Sequence, residues 1–206
     1  MKKISTLLSL MIIALLMSQT AFAQAKITPI NLKQRTLKNG MQVISVLDKS
    51  SPTVTVQVWY GVGSKDDPEG RSGFAHMFEH MMFKSTKNMK SEMFDRLTED
   101  VGGWNNASTW DDLTNYYQEI PSNYLETLLW AEAERMQNLN VDEANFVSER
   151  DVVKEEFNQR VLADPYGRLF RLYVEQVSFE KHPYKRPGIG NLEELSAATL
   201  EDVRKF

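Results

Sequence analysis

The chain has 206 residues, 42% of them hydrophobic and 25% charged, with 10 Gly, 7 Pro and no Cys; this is the composition of an ordinary folded domain and excludes collagen, a disordered chain and a disulfide scaffold. Twenty-four basic and 28 acidic residues give a net charge of -4, and the basic residues are scattered, so nucleic acid is not an expected partner. Without cysteine there is no thiolate zinc site and no cysteine nucleophile, which leaves any metal site to His, Asp and Glu.

Residues 1–23 have the layout of a secretory signal. Lys2 and Lys3 precede an apolar run from Leu7 to Met17 broken only by Ser9, and Ala21-Phe22-Ala23 stands before Gln24. At about 1.5 Å per residue, the run is far too short for a hydrocarbon core about 30 Å thick. The protein is therefore expected to be exported, periplasmic or secreted, with no stable membrane anchor once the signal is removed. The mature chain keeps 22 basic and 28 acidic residues.

Residues 24–206 contain no linker, repeat or low-complexity stretch and fit one domain with its own core. Asn39-Gly40 is a hairpin turn signal between strands expected over 31–37 and 41–47, and Val54, Val56, Val58 and Tyr60 alternate with polar neighbours in the next strand. Helical periodicity begins near Gly73. A second helix is expected from an N-cap at Ser91 through Phe94, Leu97 and Val101 to the glycine stop at Gly102-Gly103. Strands over 104–110 and 113–120 follow. Pro121-Ser122 opens a helix to about Asn138, Asp142 caps another running to about Ala163, Pro165 begins a further one and Thr199 the last. The pattern predicts an α+β fold, an antiparallel sheet packed with several helices.

The chemistry is concentrated in His76-Met77-Phe78-Glu79-His80. On a helix, Phe74, Met77, Phe78, Met81 and Met82 form one apolar stripe, and His76, Glu79, His80 and Phe83 fall on the opposite side. His76 and His80, four residues apart, can converge on one ion with Glu79 beside them. A catalytic zinc site takes three protein ligands, so a third must come from elsewhere. His182 is the only other histidine, but Pro183 imposes an extended or turn conformation on it. The stronger candidate lies on the helix opened by Asp142. There Glu149, Val152, Val153 and Glu156 share a face with Phe146 and Phe157, while Arg150, Asp151, Lys154 and Glu155 point away. Ionised carboxylates on a buried face must be paired, neutralised or bound to metal. Glu156 as a ligand, with Glu149 hydrogen-bonding into the site, meets that requirement.

These residues resemble the pitrilysin/insulinase-type metallopeptidases, the inverzincins, whose zinc motif is His-x-x-Glu-His. The resemblance extends from about Leu37 to Phe206. It implies one Zn2+ held by His76, His80 and Glu156, with Glu149 seven residues before the last ligand and Glu79 as the general base. Gly102-Gly103-Trp104-Asn105-Asn106-Ala107-Ser108-Thr109 resembles the family's Gly-Gly and Asn-Ala-x-Thr strand region. There a peptide substrate would add as a strand along Asn106 and Ala107. His182-Pro183-Tyr184 with Gly188 to Gly190 resembles a family loop. The implied activity is endopeptidase or oligopeptidase cleavage of extended peptides or small unfolded proteins. Members usually contain two homologous halves, so the chain is expected to be an N-terminal catalytic domain truncated at its C-terminal end. The second half would stand on the same polypeptide or on a homologous partner subunit. The alternative reading is a noncatalytic or weakly active partner subunit, or a zinc- or peptide-binding module; the presence of Glu79 favours the peptidase. A lyase that cleaves S-ribosylhomocysteine shares a similar motif but relies on Cys, and is excluded.

Overall fold

The computed structural model describes residues 29–206; the expected secretory signal lies outside them. The chain divides into two compact units, one ending at Ser51 and one spanning Pro52–Phe206. The described part of the first is an antiparallel hairpin of β1 (Leu32–Thr36) and β2 (Gln42–Val46), with Leu32 opposite Val46 and Thr36 opposite Gln42. Its turn closes at Gly40, where φ is 88° and the N–H donates to the Leu37 carbonyl at 3.0 Å. Only a residue without Cβ adopts that left-handed backbone freely.

The second unit contains β3 (Thr53–Tyr60), α1 (Phe74–Met81), α2 (Met93–Glu99), β4 (Trp104–Thr109), β5 (Thr114–Pro121), α3 (Leu125–Asn138), α4 (Glu143–Phe157), α5 (Val174–Ser178), α6 (Leu192–Ala197) and α7 (Leu200–Lys205). Its sheet has the order β3-β5-β4 and is antiparallel throughout. Along β5, Thr114, Tyr116, Gln118 and Ile120 are buried and their neighbours are not, the period-2 pattern of a sheet with one covered face. Ile120 packs with Phe94 of α2 and with Leu128 and Ala131 of α3. The apolar stripe of α1 forms a separate core. Phe74, Met77 and Met81 pack with Phe146 and Val153 of α4, Leu195 of α6 and Val203 of α7. Each fully buried side chain of this size stabilises the fold by about 1.5–3 kcal/mol, which fixes α1 against α4.

The helix ends are set by local chemistry. Gly103 N–H donates to Thr98 O and Gly102 N–H to Glu99 O, both at 2.9 Å, with Gly102 at φ 81°; this is the Schellman stop expected of the glycine pair. The start of α2 corrects the sequence reading. The N-cap position falls on Glu92, not Ser91, because Glu92 has φ 62° and a left-handed residue cannot enter the first helical turn. Asp142 accepts from Asn145 N–H at 2.9 Å as the cap of α4. Beyond Phe157 the chain continues as a π turn over Asn158–Leu162, and a second π turn over Leu169–Tyr173 leads into α5. Thr199 and Asp202 cap α7 reciprocally. The architecture is α+β. Among the described residues no helix is long and apolar enough to cross a membrane.

Candidate metal centre

The start of α1 is built by Asp67. Its buried carboxylate accepts the N–H groups of Gly73 at 2.7 Å and Ala75 at 2.8 Å, and burial raises its pKa to about 6. Gly73 has φ 90°, and a Cβ there would lie 2.7 Å from Gly190 Cα. Helix α1 therefore begins in a tight packing of two glycines, with its apolar stripe inward and His76, Glu79 and His80 turned to a cleft.

On α4 the core direction is set by Phe146, Val153 and Phe157. At 100° per residue, Glu149 and Glu156 lie about 60–80° to one side of it and Val152 about 120°. The two glutamates thus border the core. Glu149 is buried, with 6% of its side chain exposed, and Glu156 keeps 15%. Val152 corrects the sequence reading: it is 46% exposed because it lies past the glutamates, where it lines the cleft. Glu155 turns outward to Gln159 and Asn158.

Three ligand-type atoms converge. His76 Nε2 and His80 Nε2 are 3.3 Å apart, and Glu156 Oε2 lies 3.6 Å from the first and 3.3 Å from the second. Nitrogen and oxygen ligands at about 2.0–2.1 Å from a tetrahedral ion stand about 3.3–3.4 Å apart, close to the spacings observed. The donor set of two imidazoles and one carboxylate fits a zinc-type ion, and among the described residues it is the only such cluster of three. The far ring nitrogen of His80, Nδ1, lies 3.5 Å from Glu149 Oε2, the carboxylate–histidine arrangement that orients metal-binding imidazoles. His76 Nδ1 is buried without a hydrogen-bond partner.

Two basic residues that sequence reasoning passed over complete the arrangement. Lys84 Nζ contacts Glu149 Oε1 at 2.8 Å, and Arg160 Nη1 contacts Glu156 Oε1 at 2.7 Å. Arg160 is four residues after Glu156, an acid–base spacing legible on a helix; Lys84 carried no such signal. Burial, reinforced by His80, draws His76 down to about pKa 4. For His80 burial also acts downward, but the carboxylates of Glu149 and Glu156 outweigh it and hold the ring at about 9. The hydrogen bond to His80 lowers Glu156, whereas burial raises Glu79.

The cleft, about 990 Å³, has His76, Glu79, His80 and Glu156 on one side and β4 from Asn105 to Thr109 on another. In the three-stranded sheet β4 is an edge strand. Asn106 is exposed and its Oδ1 accepts the Ala107 N–H at 2.8 Å. His182 stands elsewhere, capping a short turn and packed on Tyr184 and Phe179.

An α+β fold carrying a His-x-x-Glu-His helix against a glutamate helix is the framework of a metallopeptidase class. The chain belongs to the insulinase family, peptidase family M16, whose sequence pattern matches residues 42–189. It is 42% identical over 172 residues to the zinc protease PqqE of Helicobacter pylori, covering 83% of this chain and 38% of that protein. It is 29% identical over 171 residues to a probable mitochondrial-processing peptidase subunit beta of Arabidopsis thaliana, covering 83% of this chain and 32% of that one. The crystal structure of a protease from Helicobacter pylori matches with a TM-score of 0.80 and 41% identity, over 86% of this chain and 43% of that chain. The chain spans between about a third and somewhat under half the length of these relatives.

Proposed function

We propose that the chain carries the zinc-binding, N-terminal catalytic domain of an exported metallopeptidase that cleaves extended peptides or small unfolded proteins. The observation that carries this reading is the meeting of His76 Nε2, His80 Nε2 and Glu156 Oε2 within 3.6 Å, beside Glu79 in one cleft. His76, His80 and Glu156 would hold the zinc, which when bound would supply Lewis acidity toward a water and a peptide carbonyl. Glu79 takes the proton of the attacking water and delivers it to the leaving amine. Its raised pKa suits a carboxyl that must accept a proton and then release it. Glu149, neutralised by Lys84, holds the His80 ring. Arg160 occupies Glu156 Oε1, so Oε2, which faces the two imidazoles, is the oxygen that would be offered to a metal.

The substrate is read as an added strand along β4. Main-chain hydrogen bonds to Asn106 and Ala107 would supply affinity with little sequence selectivity, the peptide taking over the Ala107 N–H that Asn106 now holds. A second homologous half, on the same polypeptide or on a partner subunit, completes the enzyme. The coverage of 38% of the H. pylori protein and 32% of the plant subunit supports this.

The full-length protein is therefore expected to contain one zinc per chain by elemental analysis and to cleave a pool of internally quenched peptides. Glu79→Gln should keep the zinc and lose about 10²–10⁴-fold in kcat. Undiminished cleavage by that variant, or a wild-type protein without zinc, would overturn the reading.

A further inference from the structure

A threonine pair stands at the turn end of the β4–β5 hairpin, and its Thr109 lines the cleft from the strand side. Thr109 ends β4, Thr114 begins β5, and the two face each other in the register. Thr109 Oγ1 donates a hydrogen bond to Glu79 Oε2. The Thr109 and Thr114 hydroxyl oxygens are 3.2 Å apart, and Thr114 Oγ1 donates to the Val62 carbonyl at 3.0 Å.

A hydroxyl has one proton to give, whereas a carbonyl and an ionised carboxylate only accept. The Thr114 proton is committed to Val62 O, so Thr114 offers Thr109 lone pairs and no donor. The Thr109 proton is then directed to the stronger, charged acceptor, Glu79. Thr114 is buried and pairs with Thr109 in the strand register, so the sheet sets where the Thr109 hydroxyl stands, and the Glu79 carboxylate on α1 draws its proton. The contact engages Oε2 alone, and it spans the cleft from the sheet to the helix that carries the histidines.

We propose that Thr109 is a positioning residue for Glu79: its hydroxyl pins Oε2 to the edge of the sheet so that Oε1 is presented to the reacting water, with the β4–β5 pairing fixing the place of the hydroxyl. This rests on the reading of Glu79 as the base. The sequence marked Thr109 only as the threonine of an Asn-Ala-x-Thr stretch; the contact itself joins a helix to a strand thirty residues on.

The test uses the full-length, zinc-loaded protein and the quenched-peptide pool. Thr109→Val, which keeps the shape and removes the hydroxyl, should lower kcat about 10–100-fold, the range for lost supporting contacts, with KM and zinc content nearly unchanged. Thr109→Ser should recover most of the loss. In the Glu79→Gln background, Thr109→Val should cost nothing further. In crystals of metal-free Thr109→Val protein, the Glu79 carboxylate should leave its place beside β4. Wild-type kcat in Thr109→Val, a Ser variant as impaired as Val, zinc loss in Thr109→Val, or an unmoved carboxylate each overturns the proposal. Undiminished activity in Glu79→Gln overturns the base reading instead, and so separates the two failures.

Discussion

At the scale of single residues, Glu155 and Glu156 are adjacent in sequence and opposite in circumstance. Glu156 reaches both histidines and keeps 15% of its side chain exposed; Glu155 bonds to exposed amides on the outer face. Removing one charge from each should separate them. Glu156→Gln is expected to lose zinc in equilibrium dialysis, because a neutral amide is a poor replacement for a carboxylate ligand, whereas Glu155→Gln should bind as wild type. Equal losses at the two positions would mean that α4 presents another face to α1 in solution. Glu149 belongs with the supporting residues. Its carboxylate sits between His80 and Lys84, and in the proposed reading it holds the His80 ring.

At the scale of elements, the site is a contact between two helices that are far apart in the chain. Phe146 on α4 is 1% exposed and packs in the cluster that includes Phe74, Met77 and Met81 of α1. Phe146→Ala should cost about 3–5 kcal/mol of unfolding free energy, through lost burial and the cavity left behind. Chemical denaturation of the metal-free protein measures it, and a cost below about 1 kcal/mol would show that the cluster does not hold the helices together. The turn from α2 into β4 is as tightly packed. Gly103 could not carry a side chain, since a Cβ would lie 2.4 Å from Glu119 O, so the exit from α2 into β4 depends on that residue, and with it the placing of the cleft's strand wall.

At the scale of the whole molecule, a metal that ties α1 to α4 is a ligand of the folded state only. Saturating metal at a thousand times Kd should stabilise the fold by about 4 kcal/mol, lost on chelation as a fall in Tm. The effect should depend on pH with a defined sign. In the metal-free protein His80 is held protonated up to about pKa 9, and an imidazole must be neutral to bind metal. Apparent zinc affinity should therefore rise from pH 7 toward 9 and fall in acid, with close to one proton released per ion near pH 7. Calorimetry in buffers of different ionisation enthalpy counts that proton; no release would contradict the ion pairing of His80 with the two glutamates.

Much of this was legible in the sequence because it is periodic and local. The apolar stripe Phe74, Met77, Met81 needs only the 3.6-residue repeat, the Gly102-Gly103 stop needs only a left-handed residue, and two glutamates beside a buried stripe signal charge in want of a partner. Ser91 misled because a serine before a helix resembles a cap whatever the backbone does, and Val152 because an apolar residue beside a stripe reads as core. The sequence by itself determined the fold class, the elements and the residues able to bind a metal. Tertiary structure decided which groups meet: Glu156 with the two histidines, Lys84 with Glu149, Thr109 with Glu79. Those meetings depend on how side chains remote in the chain pack together, and no short-range periodicity encodes the distance between two helices.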